Sequence, residues 1–483
     1  MTHSKDRLKR IFSPRSIAFF GATNNHTKWG YIVLSNLLNG DFHGNIYPIN
    51  PREKEILGIK VYSNLAKLPE TPDMAVIIVP PSAVLQVIKD CVEKGIKAGL
   101  IITAGFAELG DRGQEIQDAI LNLARKGEMV LVGPNSNGIM GISSQFYCTM
   151  PPLYPQPGNL SLVSQSGNLA ATLSGNIIKS GLGISCYVSS GNEADLHIED
   201  FLEYLMHDEN TKVILSYVEG FKDGKRFFQV AKQVARLKPI LMLKGGDTPA
   251  GANAAKSHTA AVAGADSIIE AAFKQAGIIR VHTIEELLDY SGAFISQPLP
   301  KGNRLGIITL GGGWGVLVAD FCTRRGLKIA HLSKDTLNKL DKYLPSWWTR
   351  SNPVDMVGGM RGKVDKILEI LLSSDDIDGI IILGLTGGIL ELASKYDSLP
   401  SGDELGRVAV ENFAESLKEV IKLRNYYNKP VIVANNFPVG NVEGFEKIFQ
   451  REAQNIFCYT TPHQAAAAYV ALTRYANYLY GID

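Results

Sequence analysis

Three times along this 483-residue chain a short apolar, β-branched run passes straight into a turn of small residues and then into a stretch with helical spacing: FFGATN, LVSQSGN and ITLGGGWG. A strand, a tight turn and a helix in that order open a βαβ unit, and a chain that does this repeatedly has few folds open to it. Around the first copy the runs SIAFFGA, NIYPIN, MAVIIVP, AGLIITAG and MVLVGPN alternate with stretches such as WGYIVLSNLLNG and AVLQVIKDCVEKG. That alternation predicts a parallel sheet with helices on both faces. Each run ends in a small or turn-forming residue, and ligands of open α/β sheets sit at those carboxyl ends.

The Pro-rich segment MPPLYPQPGN, Met150 to Asn159, breaks the pattern and reads as a linker. A second set follows, NLSLVSQSG, GISCYVSSGN, TKVILSYVEG, PILMLKGG and GIIRVHT, closed by a helix whose start, Thr283 to Glu286, has the spacing of a capping box. After a second break, SQPLPKGN (Ser296 to Asn303), come RLGIITLGGGWG, LKIAHLS, DGIIILGL and PVIVANN, and NIFCYTTP then enters a terminal helix through a threonine. The expected division is therefore 1–150, 151–296 and 297–483, which agrees with the usual size of a domain.

Composition removes several function classes. Lys and Arg number 49 against 48 Asp and Glu, a net charge of +1, so nothing marks a nucleic-acid or acidic-membrane partner and any bound anion must be held locally. The five cysteines, Cys91, Cys148, Cys186, Cys322 and Cys458, are scattered and never spaced CxxC, which argues against a disulfide framework or a zinc site and for reduced thiols in the cytoplasm; no metal ligands are expected. No apolar run has the length of a membrane span, and MTHSKDRLKRIF has too short an apolar stretch for a secretory signal.

The turns matter because a helix start leaves backbone N–H groups unpaired and carries about half a positive charge. Glycines and serines there make an anion site. The first turn, GATNNHTKWG, lacks a full GxGxxG, and strand–helix packing is an alternative account of it. No acidic residue closes the second strand, where NIYPINP stands, and this counts against an NAD-dependent dehydrogenase. The second turn, Ser164-Gln165-Ser166-Gly167, offers two hydroxyls and backbone donors; the third, Gly311-Gly312-Gly313-Trp314-Gly315, offers backbone donors only. If both helices point at one place, phosphate is held between two positive ends, each worth about 0.3–1 kcal/mol.

The stretch AAKSHTAAVAGAD, Ala254 to Asp266, sets His258 among residues with almost no side chain. A bulky anionic group can approach such a ring, and neutral imidazole can take a phosphoryl group directly. The competing account is an Ala-rich loop leading into the helix ADSIIEAAFKQAG, with the histidine capping or filling space. A nucleophilic His258 needs a carboxylate to fix its tautomer, and Glu219, at the end of VILSYVEG, is the candidate; a plain exposed strand-end charge is the other reading.

Taken together, GAT, YPINP, VP, ITAGFAE, GPN, LVSQSG, SSGNEAD, YVEG, KSHTAAVAG, GGGWG and NPVD, in that order, resemble the α subunit of the ADP-forming acyl-CoA synthetases, relatives of succinyl-CoA synthetase. The resemblance runs from about Phe12 to the C-terminal helix. It implies an α/β fold of three serial parallel-sheet domains, one Rossmann-like and CoA-binding and two flavodoxin-like ligase domains. It also implies reversible conversion of acyl-CoA, phosphate and ADP to acid, CoA and ATP through an acyl phosphate and a phosphohistidine. On this resemblance His258 is the phosphohistidine and Glu219 its stabilising glutamate. Ser164, Ser166 and Gly167, with Gly312, Gly313 and Gly315, match the two helix starts that cradle phosphate. Gly21, Ala22, Thr23, Asn50, Pro80, Thr103, Ala104, Gly105 and Asn135 match the coenzyme A loops, with Lys28 and Arg52 as partners for its phosphates.

Two departures stand out. The usual TN-x-GG-P-G is here Thr309-Leu310-Gly311-Gly312-Gly313-Trp314-Gly315, which loses an amide and gains an indole, and Gly133-Pro134-Asn135-Ser136 stands where many relatives have GPNC. Trp347 and Trp348, before NPVD, are candidates to line a wider acyl pocket or to be plain exposed or core residues. No ATP-grasp sequence is present, so the resemblance implies a separate β subunit bringing ATP or ADP and Mg²⁺, in an α2β2 assembly. A non-catalytic CoA-binding or regulatory protein of the same fold, suggested by Leu310 and Trp314, is the alternative.

Overall fold

A computed structural model of the chain describes residues 8–248, 250–251, 266–356, 364–385, 402–435 and 442–481. Contacts divide the chain into two compact units, Met1–Ile178 with Gly183–Ile284, and Lys179–Leu182 with Glu285–Asp483.

The first unit opens with β1 (Ser16–Phe20), β2 (Asn45–Ile49), a small hairpin of β3 (Glu55–Ile56) and β4 (Ile59–Lys60), then β5 (Met74–Ile77), β6 (Ala98–Ile101) and β7 (Val130–Val132). Five of these form a parallel sheet in the order β2-β1-β5-β6-β7. The strands read as unbroken apolar runs because both faces are covered: β1, β5 and β6 are buried at every residue. Ala18, Phe20, Ala75 and Ile77 pack with Val84, Ile88 and Cys91 of the helix Pro81–Lys94.

A second sheet follows in the same unit, built from β8 (Gly138–Gly141), β9 (Phe146–Thr149), β10 (Pro157–Ser164), β11 (Ile184–Ser189), β12 (Val213–Val218), β13 (Ile240–Lys244) and β14 (Ile279–Val281). Its order is β14-β13-β12-β10-β11-β8-β9, parallel from β14 to β11 and closed by the antiparallel hairpin β8–β9. That hairpin precedes the Pro-rich segment in sequence yet pairs with β11, which lies after it. The Pro-rich segment is itself tied down. Asn36, 3% exposed on the helix Trp29–Asn39, donates to the carbonyls of Thr149 (2.8 Å) and Pro151 (3.4 Å), and accepts from the Tyr154 hydroxyl (2.9 Å).

The second unit holds one sheet of β15 (Arg304–Thr309), β16 (Lys328–Ile329), β17 (Val354–Asp355), β18 (Gly379–Leu383), β19 (Val431–Ala434) and β20 (Cys458–Tyr459), ordered β16-β15-β18-β19-β20 with β17 also on β15. The terminal helix Pro462–Tyr480 starts on Thr461, whose hydroxyl accepts from the Gln464 N–H (3.2 Å) while the Gln464 side chain accepts from the Thr461 N–H (3.1 Å). Of the two adjacent tryptophans, Trp348 belongs to this core and donates from its indole to Asp341 (2.8 Å), whereas Trp347 is 66% exposed. Core packing and exposure account for both.

The three small-residue turns share one topological position. Each follows a strand on which the order reverses: β1 lies between β2 and β5, β10 between β11 and β12, and β15 between β16 and β18. At such a point neighbouring connections leave on opposite faces of the sheet and open a crevice beyond the strand ends. The first turn is packed tightly. Gly21 has φ +95° and a Cβ there would lie 1.9 Å from the Ile78 carbonyl oxygen; a Cβ on Gly30 would lie 1.9 Å from the carbonyl oxygen of Gly21. Both obstacles are backbone, so no rotamer relieves them. Gly30→Ala should therefore lower stability by about 1–3 kcal/mol or more, read as a fall in the urea midpoint; an unchanged midpoint would show that the turn yields freely.

Candidate active site

The second turn is held from within. Ser164, the last residue of β10, is fully buried; its hydroxyl donates to the Ser166 carbonyl (2.7 Å) and accepts from the Ser166 N–H (3.2 Å). Of the two hydroxyls expected here, Ser164's is used inside the turn. Ser166 lines the cleft described below, ahead of the helix Gly167–Lys179.

Between these serines the side chain of Gln165 fixes what stands beside them. Its amide oxygen accepts from the backbone N–H of Glu219 (2.6 Å) and of Gly220 (3.3 Å), and its amide nitrogen donates to the Gly220 carbonyl (2.9 Å) and to the Glu193 carboxylate (3.1 Å). The end of β12 is thereby pinned to the turn of β10. Glu219 is not an exposed strand-end charge: it is 9% exposed, with one carboxylate oxygen accepting from the Tyr217 hydroxyl (3.3 Å) and the other without a partner among the described residues. Tyr217 is itself pushed up to about 12 by burial and by the Glu219 charge.

The loop after β11, Ser190 to Asp195, joins both sheets. The Ser190 N–H bonds the Ser164 carbonyl (2.9 Å), while the N–H groups of Asn192 and Ala194 bond the carbonyls of Pro134 (2.9 Å) and Gly133 (3.1 Å) after β7. Asn192 also donates to Glu108 (2.5 Å) and Gln117 (3.0 Å) and accepts from Asn135 (3.2 Å). Glu108 in turn accepts from the Gly105 N–H at 2.5 Å. Glu193, 2% exposed, accepts from the Ser190 hydroxyl (2.8 Å) as well as from Gln165, and burial raises its carboxyl from 4.5 to about 7 against those two hydrogen bonds.

These elements enclose a cleft of about 460 Å³. Its wall brings Thr103, Ala104 and Asn135 of the first sheet together with Ser166, Gly167 and Glu219 of the second, six of the residues singled out from sequence. Trp29, Ile78, Val79 and Met150 supply apolar wall, and Gln165 and Asn192 polar wall; none of these was singled out from sequence. Gln165 stands in SQSG, read for its hydroxyls and backbone donors, and Asn192 in SSGNEAD, quoted for the resemblance; Trp29, Ile78, Val79 and Met150 stand in stretches read as a turn, a strand and a linker.

The remaining expected coenzyme residues sit at the carboxyl ends of the first sheet but outside this cleft. Asn50 donates to the Ala22 carbonyl (3.0 Å) and accepts from the Arg52 N–H (2.9 Å); the Thr23 hydroxyl accepts from the Asn25 N–H (3.2 Å). Lys28 and Pro80 precede the helices Trp29–Asn39 and Pro81–Lys94, and Gly105 has φ +108°. Lys28 and Arg52 are both exposed.

In the second unit Thr309 repeats the turn of Ser164, donating to the Gly311 carbonyl (2.7 Å) and accepting from its N–H (3.1 Å). Gly312 and Gly313 are exposed at the start of the helix Gly312–Thr323, and Gly315 is packed on Pro353. A Cβ at Gly312 would lie 3.1 Å from an Asp355 carboxylate oxygen, so a negative charge already faces that helix start. His258 lies outside the described residues. Beyond it in sequence, Arg280 clamps the helix Asp266–Ala276, 2.5 Å from Asp266 and 2.9 Å from Glu270.

Family models match three successive segments: a CoA binding domain over 15–142, a succinyl-CoA ligase like flavodoxin domain over 157–294, and a ligase-CoA domain over 305–399. The α subunit of acetate–CoA ligase (ADP-forming) II from Pyrococcus furiosus is 38% identical over 471 residues, 97% of this chain and 98% of that one. An acetate–CoA ligase (ADP-forming) from Methanocaldococcus jannaschii is 44% identical over 351 residues, 73% of this chain and 49% of that one. Among solved structures, the dinucleotide-forming acetyl-coenzyme A synthetase 1 of Ca. Korarchaeum cryptofilum, in complex with phosphate and ADP, superposes with a TM-score of 0.86 at 32% identity, covering 98% of both chains.

The raised carboxyl of Glu193 has a consequence for stability. An unfolded chain releases this proton near 4.5 and the folded chain holds it to about 7, so stability falls as pH rises through that window. Glu193→Gln has no proton to lose. Whatever constant offset the substitution brings, the stability of the variant relative to wild type should rise by about 2–3 kcal/mol from pH 4.5 to pH 8, measured by urea unfolding across the range. A difference that does not change with pH would overturn the assignment.

Proposed function

This chain belongs to the family of ADP-forming acetate–CoA ligase α subunits, and on that premise we propose how its residues divide the work of an ADP-forming acyl-CoA synthetase, which reversibly converts acyl-CoA, phosphate and ADP to acid, CoA and ATP. The observation that carries the reading is the cleft, where the strand ends of a CoA-binding domain meet a helix start and a buried carboxylate, one oxygen of which has no partner among the described residues. Relatives of known name along nearly the whole chain are ligases and synthetases, and none of them favours a non-catalytic role.

Coenzyme A, which supplies the thioester, is held at Gly21, Ala22, Thr23, Asn50, Pro80, Thr103, Ala104, Gly105 and Asn135, with Lys28 and Arg52 toward its phosphates. The fit is one of access at the strand ends: Thr103, Ala104 and Asn135 line the cleft, and the φ angles of +95° at Gly21 and +108° at Gly105 are ones that glycine adopts freely where the chain turns. Ser166 and Gly167 present the helix start to phosphate. Gly312, Gly313 and Gly315 are the second phosphate-binding helix start. His258 takes the phosphoryl group from the acyl phosphate, and Glu219 accepts a hydrogen bond from one ring nitrogen so that the other is the nucleophile.

A separate subunit carrying an ATP-grasp module brings the nucleotide and Mg²⁺, in an α2β2 enzyme. In support, the match covers 98% of a relative named as an α subunit but 49% of a ligase whose name specifies no subunit, which leaves room for such a module in the longer protein. The cytoplasm is the proposed location. All five cysteines are unpaired and buried, and no described helix is long and apolar enough to cross a membrane.

With an ATP-grasp partner and γ-labelled ATP, the wild-type chain should become labelled and His258→Ala should not; equal label on both would end the reading. Glu219→Gln, which keeps shape but not charge, should lower kcat by about 10²–10⁴-fold in the same coupled assay. An unchanged kcat would remove Glu219 from the site.

A further inference from the structure

We propose that Glu193 is a positioning residue for Glu219, acting through Gln165: it locks the Gln165 amide in the one orientation that holds the end of β12 against the SQSG turn. The inference rests on the reading of Glu219 given above.

The four contacts of Gln165 exhaust its amide. Its oxygen faces two N–H donors, those of Glu219 and Gly220, and its nitrogen faces two acceptors, the Gly220 carbonyl and Glu193. Exchanging oxygen and nitrogen would set an NH₂ against two donors and an oxygen against a carbonyl and a carboxylate. Of the two acceptors that select this orientation, Glu193 is the only side chain, and it is buried to 2% exposure with no ion pair of its own among the described residues. A carboxyl group in such a place is costly unless its hydrogen bonds are used. Here both oxygens are used, one by the Ser190 hydroxyl and one by Gln165.

The loop that carries Glu193 leaves it little freedom. The residue has φ 51°, and its neighbours are bonded on one side to Ser164 and on the other to Gly133 and Pro134. His197 and Glu199 are the titratable groups that face it. His197 is engaged with Glu199 at 3.3 Å, and Glu199 with Arg226 at 3.5 Å. Neither is among the hydrogen-bond partners of the Gln165 amide, so the hydrogen-bonded link from this cluster to the site runs through Glu193. Asn192, one residue earlier, faces Glu108 and Asn135 on the CoA side, so the two arms of the loop can be tested apart.

The experiment compares substitutions of matched size in the assembled enzyme with its nucleotide-binding partner. Glu193→Gln keeps an oxygen that accepts from Gln165 while its NH₂ donates to Ser190, so kcat should stay within about 3-fold of wild type. Glu193→Met fills the same space without an acceptor and removes a buried charge. It leaves one Gln165 N–H unpaired and should therefore unfold at a lower urea concentration than wild type; assayed where both are fully folded, it should lose about 10-fold or more in kcat while KM for CoA changes by less than about 3-fold. Adding Glu193→Met to Gln165→Met should cost nothing further, because both break one connection. The proposal is overturned if Glu193→Met and Glu193→Gln are equally active where both are fully folded, or if the two Met substitutions multiply. A normal Glu219→Gln enzyme would bring down the underlying reading, and this proposal with it; an impaired Glu219→Gln beside a normal Glu193→Met would sink this proposal alone.

Discussion

The cleft depends on a single side-chain amide whose hydrogen-bonding capacity is completely used. Gln165 stands where the strand order of the second sheet reverses, so the ends of β11 and β12 flank it, and it bonds to residues beyond both. A parallel sheet leaves its carboxyl ends without hydrogen-bond partners once the ladder stops. Here Gln165 continues the ladder through a side chain: the Glu219 and Gly220 N–H groups that would otherwise face solvent meet its carbonyl oxygen. The placement of Glu219 is thus a backbone property, independent of any contact its carboxylate makes. A side chain on a short tether from a rigid sheet is what a site needs when a reacting group must come and go.

Much of this was legible in the sequence because it is local. The three strand–turn–helix openings, the parallel sheets and the capped terminal helix are written in periodicity and in small residues at strand ends. Ser164 and Thr309 show how local that code is, for each closes its turn on the residue two positions later. The first turn lacks such a hydroxyl and relies instead on Gly21 and the close approach of Gly30. The burial of Glu219 was only half legible, since a strand-end glutamate is as readily exposed as enclosed, and its enclosure depends on partners elsewhere.

The rest was hidden because it is non-local. Gln165 reaches residues 28 and 55 positions away, and Asn192 reaches Glu108 across 84. The hairpin β8–β9 joins a sheet whose nearest strand lies beyond the Pro-rich segment, and composition says nothing about that choice. A polar residue between two small ones, as Gln165 is, carries no periodicity to announce it. His258 presents the opposite case: its meaning comes from sequence alone, since its segment lies outside the described residues.

A cleft proposed for anions, with Glu219 in its wall and Glu108 and Glu193 hydrogen-bonded to the Asn192 and Gln165 that line it, calls for an electrostatic account, and the hydrogen bonds provide one. Burial pushes both Glu108 and Glu193 upward, yet Glu108 ends below the usual carboxylate range because the Gly105 N–H and the Asn192 amide donate to it. Glu193 has only a hydroxyl and an amide group, so burial prevails and its carboxyl rises to about 7. One acid is thus compensated by donors and the other is partly relieved of its charge near neutral pH. Glu219 differs from both, since one of its oxygens is buried with no donor among the described residues. An unpartnered carboxylate oxygen costs about 1–3 kcal/mol or more, and an imidazole N–H brought beside it would recover that. The same contact leaves the other ring nitrogen with its lone pair, which is the form that attacks phosphorus.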